Sequence, residues 1–591
     1  MNRYKISLKR VSDPETMMPL SLDAIYLFPF RRSSMGWREG AFLLALAVLS
    51  APVFPHPQPV SSAGAGIISA DSIEKHVRVL GHDSLRGRAT GSPGERKAAE
   101  YLVGRLASPG LNPRGDHHSY FQAIPMHGST PTAECELRLF FHGAASRVTV
   151  YDFELGEEYL LYRTGAQTFI PIPVPLVFVG YGIVAPEFDY NDYQSLNVEG
   201  KIVVFLSGEP GSTNPEYFGG GNLTIYASPE AKQRLAVSRG ALGSILIPAP
   251  EEQREGYWAR MQKEFSFEDV QLAYASAGNL SVLIHPEAAE KLFQQAPYSL
   301  QEVWEMHRRR RLKSFALEVN LSFKGDFIQR DFIAHNVLAG LEGRDPHLKD
   351  SYLILTAHYD HLGIGPAVDG DSIYNGVFDN AAGVAALLEI ARAFAALPQP
   401  PKRSLIFLFV TGEEKGLLGS RYYLDHPAVP LSKTVANVNI DGLAMFENFS
   451  SIVGIGAELS TLGKTLEQVA RKAGLRISAI PPEFAATESF ARSDQVAFAG
   501  AGIPSILVMD GIDYPGASRE EGLKRLITWN ETVYHTPFDD LRQPMNFAAA
   551  EQHARFLFEF IHALAEENSE PEWYPGAPYR HIRLRNRAEK R

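Results

Sequence analysis

The sequence predicts an α/β protein: a mostly parallel central sheet covered by helices on both faces, with a mainly β module inserted ahead of it. From about Ile333 onward, apolar strand-like runs alternate with helical periods, the pattern of a parallel sheet whose crossover helices cover it. From about Thr149 to Phe323 the chain shows short β-branched and aromatic runs instead, VPLVFVGYGIV, KIVVFLS and GSILI, separated by Gly, Pro and Asn. The 591 residues also exceed the ~250 to 300 at which a single core usually divides.

In chain order, Ala41 to Phe54 form an uncharged apolar stretch, AFLLALAVLSAPVF. It has the length of a signal-peptide core and is short for a membrane span, and the small residues around Ala63 or Ala65 suit a cleavage site. A start at Met35, with Arg38 as a thin positive flank, accounts for the residues before it; an uncleaved anchor is the alternative. The expected location is therefore outside the cytoplasm, periplasmic or extracellular, or membrane-anchored if the segment is retained. Ile68 to Leu111 reads as two helices around a Gly-rich loop, the second starting near Pro93. The later elements are SYLILTAHYD, DNAAGVAALLEIARAFAAL, SLIFLFV, TVANVNID, STLGKTLEQVARKAG, GIPSILVM and EQHARFLFEFIHALAEE. The expected division is 1–66 (extension and leader), 67–148 (first part of the main domain), 149–323 (insert), 324–568 (main domain) and 569–591, a basic solvated tail.

Hydrophobic residues at 45% and charged residues at 21% are ordinary for a chain with a large core. A net charge of −11 argues against a nucleic-acid binder, which gains affinity by neutralising phosphates. One cysteine, Cys135, excludes an intrachain disulfide and a multi-cysteine zinc site, so a metal here must use His, Asp and Glu.

Polar groups follow one strand after another: His358 and Asp360 after YLILTA, Glu413 and Glu414 after LIFLFVTG, and Asp441 after ANVNI. Asp379 opens a helix and His535 lies in a later loop. Singly, each has an ordinary reading as a solvated acid, a helix cap or a structural histidine. Their shared placement beyond the carboxyl ends of strands, where such sheets bind ligands, points to a site. His358, Asp379, Glu414, Asp441 and His535 form an oxygen and nitrogen donor set that suits zinc, with manganese or cobalt as alternatives. A carboxylate shared by two divalent ions holds them about 3.5 to 4 Å apart, and Asp379 is the expected bridge.

HYDHLG, NGVFDNAAG, TGEEKGLLGS, NVNIDG and YHTPFDD, in this order, resemble the co-catalytic di-zinc exopeptidase family of secreted bacterial aminopeptidases, which also contains glutamate carboxypeptidase, the glutaminyl cyclases and the transferrin receptor. The resemblance covers roughly Ile68 to Glu567. It implies the zinc exopeptidase fold, two Zn2+ ions, His358 and Asp441 on one, Glu414 and His535 on the other, and Asp379 shared. It also implies Glu413 as general base toward a water activated by the metals, and a cis peptide between Asp379 and Asn380. Asp360, two residues after His358, is expected to accept the second imidazole N–H. Tyr534 resembles a tyrosine that relatives use toward the oxyanion, with plain packing as the other reading. His361 has no counterpart in the scheme. In SDQVAF, Gln495 stands where many relatives carry histidine, which puts substrate contacts in doubt; Ser493 and Asp494 are weak pocket candidates. The β-rich middle looks like a protease-associated domain.

The expected function is an exported di-zinc metallo-aminopeptidase acting on peptides, with no nucleic-acid partner and no stable membrane association once the leader is removed. A carboxypeptidase or a glutaminyl cyclase on the same fold stays open. A non-catalytic receptor-like protein is a further alternative, against which the retained ligand types and Glu413 weigh. Side-chain preference and oligomeric state are not legible.

Overall fold

The computed structural model describes residues 64–588, apart from 144–146, 162–168, 215–216, 219, 221–223, 276–278 and 485–489. The apolar stretch at Ala41 to Phe54, the start at Met35 and the cleavage position at Ala63 lie outside the described residues. Among the described residues, no helix is long and apolar enough to cross a membrane.

The main sheet is built from β1 (Asn112–Pro113), β2 (Phe121–Pro131), β3 (Asp269–Leu272), β4 (Phe327–Leu341), β5 (Tyr352–His358), β6 (Ser404–Val410), β7 (Thr434–Asn439), β8 (Ser451–Ile455), β9 (Arg476–Ile477) and β10 (Ser505–Asp510). Their order is β3-β2-β4-β6-β5-β7-β10-β8-β9, with β1 on β4. The neighbours β6, β5, β7 and β10 are parallel, and the flanks are mixed, since β2, β3 and β4 pair antiparallel and β8 runs antiparallel to β10. The sheet is thus parallel through its centre and mixed outside it, with β9 again parallel to β8 at the far edge. The reason lies in the path: the chain leaves along β2 and returns along β4, and a chain that goes out on one strand and back on its neighbour makes an antiparallel pair without a crossover helix.

The central strands are buried on both faces, as their unbroken apolar runs require. Alternate residues go to opposite sides. Leu353, Leu355 and Ala357 of β5, with Leu405, Phe407 and Phe409 of β6, share a core with helices α1 (Ala70–Leu80), α2 (Pro93–Ala107), α3 (Ala382–Ala395), α5 (Leu462–Lys472) and α7 (Phe547–Glu566). Ile354, Ile406, Leu408 and Val410 pack on the other face with Tyr423 of α4 (Leu418–Asp425) and Phe498 of α6 (Gln495–Gly500). Helix starts follow local chemistry: Ser69 caps α1, and at α2 Ser92 accepts the Glu95 N–H while Glu95 Oε2 takes the Gly91 N–H.

Between β2 and β4 lies a second, eight-stranded sheet in the order 148–153, 136–142, 314–324, 169–179, 202–206, 243–247, 280–284, 159–161. It is flanked by helices on opposite faces: Val303 and Trp304 of Leu300–Arg308 belong to one core, Ala236 of Pro229–Ser238 to the other. The boundary expected at 148/149 falls inside a strand, and 136–142 already pairs in this sheet. Strand β3, from the middle of the excursion, crosses back to pair with β2. The expected solvated tail is instead helical over Arg580–Ala588, with Arg583 buried and the Asn586 side chain donating to Ala501 O at 2.9 Å. A basic run misleads here because Glu570 lies within 2.5 Å of Arg587 to take up charge.

On α7, buried His553 accepts the Ala444 N–H on Nδ1 at 3.1 Å, fixing the loop beyond Asp441. Burial pushes its pKa down to about 4 from 6.5. The unfolded chain therefore takes up this proton first, so the stabilisation is complete above about pH 6.5 and is lost as pH falls toward 4. Relative to a His553→Asn variant, the wild type should lose about 2 kcal/mol more between roughly pH 7 and pH 5. Urea midpoints of the two proteins at both pH values check this; equal slopes would refute it.

Candidate metal centre

Strand order brings the predicted residues together. β5 lies between β6 and β7, with His358 opposite Val410 and Thr356 opposite Asn439, so the three carboxyl ends are level. The chain passes from β5 to one neighbour and then to the other, making this a topological switch point. His358 ends β5, Glu413 and Glu414 follow β6, and Asp441 follows β7.

The adjacent glutamates are separated from the regular strand by a turn. β6 ends at Val410, and Gly412 has φ +65°. A side chain at Gly412 would place its Cβ 3.0 Å from Leu418 Cβ in a left-handed backbone, so both space and conformation favour glycine. The turn closes through Leu418 N–H to Gly412 O at 2.8 Å and Gly419 N–H to Thr411 O at 2.9 Å.

His358, which is 1% exposed, has Nε2 3.1 Å from Asp379 Oδ1 and 3.1 Å from Asp441 Oδ1. His535 Nε2 is 3.2 Å from Asp379 Oδ2 and 3.4 Å from Glu414 Oε2. Each oxygen of Asp379 thus faces a different histidine. Burial disfavours its charge, but the two histidines hold its carboxyl well below the usual range. Burial, reinforced by Asp441 and Glu414 against the attraction of His358, holds the Glu413 carboxyl well above the usual range. His361, absent from the expected scheme, is fully buried with Nδ1 2.6 Å from Glu414 Oε1. That contact is close but misaligned, so among the described residues both atoms lack a well-formed hydrogen bond.

Two residues that sequence reasoning gave no role fix this arrangement. Asn380, joined to Asp379 by a cis peptide, donates to Ile440 O at 2.9 Å and His358 O at 3.3 Å, and accepts from Gly383 and Gly442 N–H. It stitches the ends of β5 and β7 to the start of α3. Asp539 accepts the Phe378 and Asp379 N–H groups at 2.8 and 3.1 Å. Both lie inside motifs already singled out, but neither motif says which backbone groups they meet.

One expectation changes. The Asp360 carboxylate is not the partner of the second imidazole nitrogen: its Oδ1 is 3.8 Å from His358 Nδ1, and the hydrogen bond goes to the Asp360 carbonyl at 3.3 Å. The carboxylate is engaged elsewhere, accepting the Glu413 N–H at 3.2 Å and the Thr90 hydroxyl at 3.0 Å. Gln495 is fully buried, accepting from Asn439 at 2.9 Å and donating to Phe490 O at 2.9 Å. Ser493 and Asp494 are also buried, and burial pushes the Asp494 carboxyl up to about 7. Tyr534 stacks on His535 with ring centroids 3.9 Å apart, beside the site.

The donors fit a divalent cation. His358, Asp379 and Glu414 place ligand atoms within 4.8 Å of one another. Glu414 Oε1 is a buried oxygen without a well-formed hydrogen bond, and the carboxylates of Asp379, Glu413, Glu414 and Asp441 converge in one low-dielectric space. Such crowding calls for positive countercharge, and imidazole with carboxylate is the chemistry of zinc.

The sequence profile of peptidase family M28 matches residues 336–561. Leupeptin-inactivating enzyme 1 of Streptomyces exfoliatus is 32% identical over 30% of this chain and 36% of its own length. Probable leucine aminopeptidase 2 of Aspergillus oryzae is 30% identical over 34% of this chain and 38% of its own. The alignments thus span well under half of these relatives. Among solved structures, the aminopeptidase from Aneurinibacillus sp. strain AM-1 shares the fold at 19% identity and a TM-score of 0.50, covering 84% of this chain and 94% of that one.

Proposed function

We propose that this protein, whose residues 336–561 match the profile of peptidase family M28, is a two-metal exopeptidase, an aminopeptidase that removes N-terminal residues from peptides. The observation that carries the reading is the Asp379 carboxylate, whose two oxygens face His358 and His535 separately at 3.1 and 3.2 Å. His358 and Asp441 would hold one ion, Glu414 and His535 the other, and Asp379 both. When bound, two zinc ions supply Lewis acidity toward the scissile carbonyl and the attacking water.

The remaining work falls to the chain. Glu413 takes a proton from the attacking water and returns it to the departing amine, the role of a general base that then acts as acid. Its backbone is held by Asp360, which Thr90 holds in turn. Tyr534 donates its hydroxyl toward the developing oxyanion from its stack on His535. The aminopeptidase direction follows the names of the relatives. We extend the proposal to export through the apolar stretch at Ala41 to Phe54, and to a protease-associated role for the second sheet.

A panel of amino-acid amides, N-blocked peptides and C-terminally free peptides tests this, with and without chelator. Unblocked substrates should be cleaved, N-blocked ones spared, and turnover lost with chelator and recovered with zinc. Cleavage of N-blocked peptides from the carboxyl end would overturn the direction, cyclisation of N-terminal glutamine would overturn the reaction, and chelator-resistant turnover would overturn the metal.

A further inference from the structure

Arg88 lies far outside the segment that matches the peptidase family, yet its side chain sits at the centre of the site's scaffold. It is 1% exposed. Nε donates to Tyr359 O at 2.8 Å, Nη1 to Leu80 O at 2.5 Å and Asn375 O at 2.6 Å, and Nη2 to Gly376 O at 2.9 Å. Four carbonyls on three separate segments thus converge on one guanidinium. Tyr359 directly follows His358, Gly376 lies three residues before Asp379, and Leu80 ends α1, where a helix leaves its carbonyls without internal partners.

The surroundings match this use. Arg88 has φ +50°, and its own carbonyl accepts the His361 N–H at 3.2 Å, so its backbone joins the same loop that its side chain holds. Gly376 has φ +60°, and a Cβ there would lie 2.2 Å from Asp379 O and 2.4 Å from His361 Cγ, so the acceptor loop is packed directly against the site. Asn375 adds a parallel tie, donating to Gly81 O at 3.0 Å and Asp83 Oδ1 at 2.9 Å. The charge is balanced at longer range by Asp539, Asp360, Asp379 and Glu414, and although burial lowers the guanidinium pKa to about 10, the group stays protonated at neutral pH. A lysine could not copy this, because its three donors radiate from one point whereas arginine presents five in a planar fork.

We propose that Arg88 is a positioning residue of the metal centre, a buried guanidinium that ties the loop after His358 to the loop before Asp379 and so fixes the separation of these two ligands before any metal binds. The inference rests on the two-metal reading above.

The test titrates the metal-free full chain with zinc from buffered chelator solutions, reading bound zinc and the shift in melting temperature, for the wild type, Arg88→Lys and Arg88→Ala. The wild type should take up two zinc ions. Arg88→Lys should fold by circular dichroism but bind zinc about 10- to 100-fold more weakly, the usual consequence of losing a group that orients metal ligands. Its kcat should fall with little change in KM, and guanidinium ion at low millimolar concentration should recover part of the zinc affinity of Arg88→Ala. A folded Arg88→Lys variant with wild-type zinc affinity would overturn the proposal while leaving the metal reading intact; a wild type that binds no zinc would overturn both. Should the variants fail to fold, hydrogen exchange on the wild type decides. Amides at 359–361 and 377–381 should be protected equally with and without zinc, whereas protection that appears only on adding zinc would show that the metal, not Arg88, orders these loops.

Discussion

Replacing Glu413 by glutamine is expected to leave zinc content unchanged while lowering kcat by about 10²- to 10⁴-fold, the usual contribution of a positioned proton-transfer group. The geometry explains the separation of the two effects. Glu413 is the first residue beyond Gly412, its N–H held by Asp360 Oδ1, whereas Glu414 is the glutamate that faces His535 and His361. Glutamine preserves shape and backbone contacts but cannot accept the proton. KM should move little, because no substrate-binding group is lost. Metal analysis beside steady-state kinetics checks this, and full turnover in the variant would remove Glu413 from the mechanism.

Replacing Asp379 by asparagine should act on both metal positions at once. One oxygen of the carboxylate faces His358 and the other His535, so the amide leaves one histidine opposite an NH2 group and removes a charge shared by both halves of the site. Zinc affinity should fall by more than the ~10- to 100-fold typical of an outer-shell change. Turnover should drop to background even with added zinc. The Asp539 bonds to the Phe378 and Asp379 N–H groups involve the backbone only, so the fold should persist. Two zinc ions retained at wild-type affinity would contradict the bridging role.

Much of the site could be read from the chain because its side chains stand directly after strand signals. SLIFLFV followed by Thr-Gly-Glu-Glu declares a strand, its end and two carboxylates within eleven residues. YLILTAHYD and ANVNID do the same for His358 and Asp441. Asp360 stands at the strand end that the sequence indicates but makes a different bond, since a two-residue offset brings side chains to one face only on a continuing strand, and β5 stops at His358. Nothing in the sequence signals that the helix carrying Gln495 packs against β7 and β10.

Period and composition determined the class of fold, the alternation of strands and helices and the donor types open to a metal, because each is written in consecutive residues. Only the tertiary structure decided that β6, β5 and β7 are neighbours, that the flanks of the sheet carry antiparallel pairs, that Asp360 serves Glu413, and that Arg88, some 270 residues before His358, holds the loops after β5 and before Asp379. A hydrogen bond to a backbone carbonyl leaves no trace in the identity of the residue that offers it, so the acceptors of Arg88, Asn380 and Asp539 become visible only once the chain has brought them together.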